Sequence, residues 1–226
     1  MLLYQIPFSH NCIKVRVALR AKGISFEVFD ISPMDRKTVV AATGQPFVPV
    51  LVDGETVVSD STRILLWLEE KDPATALLPS DPKARVDCLM LEDWADESWM
   101  ALSRRLAYYA VLEVPGRLEA MFFPGLDEAR RRSFGERARQ ALIERFSLSD
   151  TRYQRDLEEA SELAKVSNAR LTTGHLVGES LTIADIALAA MCAPIAKVED
   201  LEDDEEIRAL LAWAIPILGE DGERYH

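Results

Sequence analysis

The strongest constraint on this chain is a change of pattern near residue 80. Up to Ser80, short β-forming runs alternate with segments of helical period. Leu2 to Ile6 is a short apolar run, and Cys12 to Lys22 sets Ile13, Val17 and Ala21 on one helical face before Lys22-Gly23 stops it. Ser25 to Ile31 is rich in β-formers, and Pro33 to Thr43 is a weak helix ended by Gly44. Val48 to Val52, Asp53-Gly54 and Glu55 to Val58 read as a hairpin with a tight turn. Ile64, Leu65 and Leu68 then mark a helix that Asp72-Pro73 closes. The predicted order is βαβαββα.

Ala74 to Pro82, with turn-formers at Pro79, Asp81 and Pro82, reads as a linker, and no strand signal follows it. Asp81 and Pro82 suit the cap and first turn of a long helix carried by Ala84, Cys88, Leu91, Ala95, Leu102 and Leu106. Charge divides at the same place. Residues 1 to 80 hold 8 basic and 9 acidic side chains, while the rest hold 18 and 29. Two domains are expected, at about 1-78 and 83-226.

The net charge of −12 repels phosphate backbones and anionic headgroups, so neither a nucleic acid nor a membrane is an expected partner. The start, Met1-Leu2-Leu3-Tyr4-Gln5-Ile6-Pro7, has no basic leader. The longest uncharged apolar stretch, Ile186 to Ala196, is far short of the roughly 20 residues a spanning helix needs. A soluble, cytoplasmic protein is expected. Cys12, Cys88 and Cys192 are odd in number, widely spaced and without a zinc pattern, so neither a disulfide framework nor a metal is expected. Glu199 to Glu206, seven acids in eight positions, reads as a solvated face rather than a cation site.

Chemistry gathers at three points. Ser9-His10-Asn11-Cys12 lies where a strand feeds a helix start, and the positive helix end there stabilises a thiolate. Ser9 and Cys12 stand at the two ends of a C-x-x-C-like window in which Ser replaces the first Cys. Val48-Pro49 opens a strand, and a cis bond there would turn the Val48 N–H and C=O toward a ligand backbone. Asp60-Ser61 opens the next helix with an acid for an ammonium, beside a hydroxyl and free amides for a carboxylate. The end of an α-amino acid would fit.

These residues resemble the cytosolic glutathione transferases of the serine type (theta, zeta and phi). The resemblance rests on Pro7-Phe8-Ser9-His10-Asn11-Cys12-Ile13-Lys14-Val15-Arg16-Val17-Ala18-Leu19, Lys22-Gly23-Ile24, Val48-Pro49-Val50-Leu51 and Asp60-Ser61. It continues in Leu181-Thr182-Ile183-Ala184-Asp185-Ile186, where Thr182 and Asp185 have capping-box spacing. The resemblance implies a thioredoxin-like α/β N-terminal domain joined to an all-α C-terminal domain, glutathione as co-substrate, a small electrophile as second substrate, and a homodimer. It places Ser9 at the glutathione sulfur, Val48 on the cysteinyl backbone beside Pro49, Asp60 and Ser61 on the γ-glutamyl end, and Arg36 or Lys37 on the glycine carboxylate. The lead-in Gln45-Pro46-Phe47 departs from the usual Gly-Lys pattern.

Each residue also has a plainer reading. Ser9 could be only a helix cap. Cys12 is either a packed first-turn thiol or the nucleophile of a thiol transferase or reductase. Phe8, Trp99, Tyr108 and Tyr109 are candidates for the electrophile pocket, with core packing the alternative for the aromatics on the long helix. His10 reads as solvated, Trp67, Trp94 and Trp213 as core, Cys88 and Cys192 as packed thiols, and His175 carries no local signal. A fold without turnover, serving as a binding module, is the third reading.

Overall fold

The structure is a computed structural model that describes residues 1–33, 35–123 and 125–225. Its first seven elements are β1 (Leu2–Gln5), α1 (His10–Ala21), β2 (Glu27–Asp30), α2 (Lys37–Thr43), β3 (Val50–Asp53), β4 (Thr56–Ser59) and α3 (Ser61–Lys71), in the order predicted from the sequence. The sheet runs β2-β1-β3-β4, with β1 parallel to β2 and antiparallel to β3, and β4 antiparallel to β3. This is a thioredoxin-like layer. Strand β2 is shorter than Ser25 to Ile31, because at the sheet edge it pairs only with β1 and all four of its residues are exposed. Helix α2 starts at Lys37 rather than Pro33, and Met34 of that stretch lies outside the described residues.

The remainder is helical. Helix α4 (Pro82–Trp94) is capped by the Asp81 side chain, which accepts the Ala84 N–H, and Pro82 takes the first position, where no N–H is needed. It runs through a π-helical turn at Ala95–Trp99 into α5 (Met100–Glu113), so the single predicted long helix contains an inserted residue near its middle. Then follow α6 (Arg117–Phe122), α7 (Glu128–Phe146), α8 (Asp150–Arg170), α9 (Ile183–Cys192), α10 (Glu205–Leu218) and a 3-10 segment, Gly219–Tyr225.

Helix α9 is the centre of the molecule. All ten of its residues are buried, and it packs against α1, α4 and α10. Its capping box forms: Thr182 Oγ1 accepts the Asp185 N–H while Asp185 Oδ2 accepts the Thr182 N–H at 2.7 Å. The acidic run is partly structural, since Asp204 caps α10 through the Glu206 and Ile207 N–H groups and Asp200 accepts the Tyr153 hydroxyl at 2.7 Å. The C-terminal segment docks on α1, where Asp221 accepts from Arg16 Nε at 3.0 Å and also pairs with Arg20. All three cysteines are free and buried. Among the described residues no helix is long and apolar enough to cross a membrane.

Candidate active site

A cavity of about 1790 Å³ opens between the α/β layer and the helical part. Ser9 before α1, Val48 and Pro49 before β3, and Asp60 and Ser61 at the start of α3 line one wall; Phe8, Arg104, Tyr108, Phe122, Arg145 and Phe146 line another. Three segments far apart in sequence therefore converge on one space.

Ser9 precedes α1 in extended conformation (φ −74°, ψ 125°) and its side chain caps no helix N–H. The Ser9 N–H donates to the Ile6 carbonyl at 3.0 Å, which pins the loop, and the residue sits at the positive end of α1. Cys12, one turn on, is fully buried and absent from the cavity wall. Burial pushes its thiol up, against the hydrogen bonds from the Ile6 backbone and the Ser9 side chain and the charges of Arg16 and Arg36. A buried thiol with a raised pKa favours the packed first-turn reading of Cys12 over the nucleophile reading.

The Val48–Pro49 peptide bond is cis. Asp60 has φ 81° and its carboxylate accepts the Arg63 N–H at 3.0 Å, so it caps α3. Ser61 is only 2% exposed, yet its hydroxyl has no hydrogen-bond partner. Asn11 Oδ1 and Arg36 Nη1 share that condition. All three residues line the cavity. A buried polar atom left unmade costs about 1–3 kcal/mol, so three of them on one wall mark where a polar ligand supplies partners.

Several expected residues stand elsewhere. Trp99 is fully buried at the core and its Nε1 donates to Ser167 at 3.3 Å, because the π-helical turn carries it inward toward α8. Tyr109 stacks on Tyr153 (centroids 3.9 Å apart) and its hydroxyl donates to Asp150, so it faces α8 rather than the cavity, while its neighbour Tyr108 faces in. Lys37 is exposed and does not line the cavity, whereas Arg36 does. His10 is buried, with Nε2 3.3 Å from Ser103 Oγ, and burial followed by the charge of Arg104 pushes it down to about 3. It is a neutral imidazole against α5, not a solvated one. Sequence reasoning missed Asn11, Arg104 and Arg145; Asn11 carried a signal, being the third residue of the Ser9 loop, but the arginines carried none.

Residues 3–76 match the family model described as the N-terminal domain of glutathione S-transferases. Through this region the chain is similar to the glutathione S-transferases. A glutathione S-transferase of Triticum aestivum is 36% identical over 84 residues, which are 37% of this chain and 39% of that protein. A zeta-class glutathione S-transferase of Euphorbia esula is 40% identical over 83 residues, 35% of this chain and 37% of that one. The matched stretch is thus about two fifths of these curated relatives. The crystal structure of glutathione transferase F7 from Populus trichocarpa has a TM-score of 0.72, covering 100% of this chain and 99% of that one at 13% identity, so the glutathione S-transferase fold extends through the helical part. Arg104 and Arg145 lie beyond the region that the family model matches.

Proposed function

We propose that the protein is a glutathione transferase that joins the glutathione thiolate to a small electrophile. Residues 1-78 form the glutathione domain and 83-226 the helical domain that shapes the second site. The reading rests on one observation: Asn11, Arg36 and Ser61 present buried, unpartnered polar atoms to a single cavity that also exposes Ser9, Val48 and Asp60. An acceptor, a cation and a hydroxyl suit a ligand that carries both amine and carboxylate groups. In this reading Ser9 donates to the sulfur, Val48 pairs with the cysteinyl backbone, Asp60 and Ser61 hold the γ-glutamyl end, and Arg36 takes the glycine carboxylate. Asp60 keeps one oxygen on the Arg63 N–H and offers its charge to the ligand ammonium.

The chemistry is then short. Glutathione loses its thiol proton to solvent, and the Ser9 hydroxyl and the positive end of α1 stabilise the thiolate, raising its share at neutral pH. The sulfur attacks an electrophilic carbon, a C–S bond forms, and the leaving group departs with the bonding pair.

A homodimer in the cytoplasm belongs to the same proposal. Apolar side chains stand exposed on α4, Val86 at 55% and Met90 at 66%, and in the loop before β3, Phe47 at 65%, which favours a covering partner copy. Three unpaired cysteines fit a reducing compartment. Light scattering should give twice the 25.3 kDa chain mass. The activity test is glutathione titration by calorimetry together with conjugation of 1-chloro-2,4-dinitrobenzene. Binding with turnover is the expected result; binding without turnover would make the protein a binding module, and no binding would refute the reading.

A further inference from the structure

The wall leading away from Ser9 is aromatic and ends in two cations. Phe8 lies against Phe122 with ring centres 5.6 Å apart, Phe122 against Tyr108 at 6.4 Å, and Tyr108 against Phe146 at 5.1 Å. At the far end the guanidinium carbons of Arg104 and Arg145 stand 5.9 Å and 5.5 Å from the centre of the same Phe146 ring. One arginine comes from α5 and the other from the last turn of α7. Both line the cavity.

Their charge is unanswered. Among the described residues neither Arg104 nor Arg145 forms an ion pair with an acid, in a chain with 38 Asp+Glu against 26 Lys+Arg. Arg105 and Arg152, which line a neighbouring hollow with them, both find the Asp156 carboxylate. Asp96 is within electrostatic reach of Arg104 but is engaged by Lys14 Nζ at 3.3 Å. Across the whole cavity, described cationic side chains outnumber acidic ones six to three, the reverse of the chain as a whole. Burial and the neighbouring Arg145 both lower the pKa of Arg104, so this half-buried arginine is desolvated and faces a like charge on the exposed Arg145. An anion placed between the two relieves their repulsion, and guanidinium forks match a carboxylate.

We propose that the second substrate is an aromatic electrophile bearing a carboxylate, its ring along Phe8, Tyr108 and Phe146 and its carboxylate on Arg104 and Arg145. This rests on the glutathione transferase reading, since it is the glutathione sulfur at Ser9 that the reactive carbon must face. For an aryl chloride the sulfur adds to the carbon bearing chlorine, the C–S bond forms, the C–Cl bond breaks, and chloride leaves as the thiol proton goes to solvent.

The test compares 4-chloro-3-nitrobenzoate with its methyl ester at saturating glutathione, each kcat/KM divided by its own uncatalysed rate constant with glutathione. The acid should be favoured at least tenfold. Arg104→Gln and Arg145→Gln should each bring that ratio toward one, while Arg132→Gln, an exposed arginine of α7, should leave it in place. A ratio of one or less in the wild type, or one insensitive to both variants, would overturn the proposal. A second arm titrates the unreactive 4-methyl-3-nitrobenzoate without glutathione by calorimetry. Its dissociation constant should rise about tenfold in Arg145→Gln, and no binding, or binding unchanged by the variant, would refute the anion site. Because this arm needs no glutathione, failure of the transferase reading and failure of the anion site are told apart.

Discussion

Lys14 and Glu92 form a fully buried ion pair that joins the helix behind Ser9 to the first helix of the all-helical part; their side chains are 0% and 2% exposed. Lys14 Nζ also donates to Thr62 Oγ1 at 3.1 Å, and the Thr62 hydroxyl donates to Glu92 at 2.8 Å. Thr62 follows Ser61, so one cluster holds the starts of α1 and α3, the two turns that carry Ser9 and Asp60–Ser61, against α4. The site is braced from behind by charge.

Removing one partner should therefore cost far more than removing both. Lys14→Met leaves the Glu92 carboxylate buried with the Thr62 hydroxyl but without its cation, a loss of about 3–5 kcal/mol. Lys14→Met with Glu92→Leu and Asp96→Asn, which also neutralises the second acid that Lys14 meets, should recover most of it, since the desolvation cost is then avoided. Urea denaturation of Lys14→Met, of Glu92→Leu with Asp96→Asn, and of all three together measures the coupling. Additive losses would mean that the pair acts as two independent contacts.

His10 should make the protein lose stability in mild acid. Its folded-state pKa lies near 3, below the unfolded value of about 6.5, so the folded protein binds this proton less readily than the unfolded chain does. Its contribution is fully present above pH 6.5 and is lost as pH falls from there toward 3, at up to about 1.4 kcal/mol per pH unit. The groups facing it are Ser103 and Arg104, and neither titrates in that window. Denaturation curves for the wild type and His10→Gln at pH 7, 6 and 5 test this: the variant should have the flatter profile. Parallel profiles would remove His10 as the cause.

The α/β layer was legible because its signals are local. Lys22-Gly23, Gly44, Asp53-Gly54 and Asp72-Pro73 fall at turns or helix ends, and a period of two or 3.6 between them leaves few alternatives. The capping box at Thr182 and Asp185 was equally local. The second half of the site was not. Arg104 and Arg145 meet because α5 and α7 pack at one ring, and no spacing in the chain encodes that meeting. Trp99 and Tyr109 were misplaced for a related reason: helical period says which residues share a face, but here both faces of α5 are covered, one by α8 and one by the cavity. The π-helical turn then shifts the register between Trp99 and the rest.

Asp60 caps α3 and, in the proposed site, also faces the ligand ammonium, and one substitution can separate the two. Asp60→Ala removes both the α3 cap and the charge, so it should cost about 0.5–2 kcal/mol of stability as well as ligand affinity. Asp60→Asn keeps an acceptor for the Arg63 N–H and tolerates the positive φ of 81°, yet presents no charge to an ammonium. The Asn variant should keep its thermal midpoint while its glutathione affinity falls by about 1.5–3 kcal/mol, the range of a charged hydrogen bond. Calorimetric titration beside a melting curve reads the two effects separately. An Asn variant that binds like the wild type would take the carboxylate out of the ligand site.

Ser9 and Cys12 make the sharpest contrast, because they lie one turn apart and only Ser9 faces the cavity. If the Ser9 hydroxyl stabilises the glutathione thiolate, Ser9→Ala should raise the pKa of bound glutathione and slow conjugation of 1-chloro-2,4-dinitrobenzene. One charged hydrogen bond of about 1.5–3 kcal/mol corresponds to roughly 10- to 100-fold in rate. Cys12→Ser should change that rate little, since burial keeps its thiol protonated and away from the ligand. Iodoacetamide should likewise leave Cys12 of the folded protein unmodified at pH 7 and alkylate it only on unfolding. The ultraviolet absorbance of enzyme-bound thiolate, followed against pH, reports the pKa directly and separates loss of ionisation from loss of binding. Conjugation abolished in Cys12→Ser but intact in Ser9→Ala would transfer the chemistry to the cysteine and would require the first turn of α1 to open to solvent during turnover.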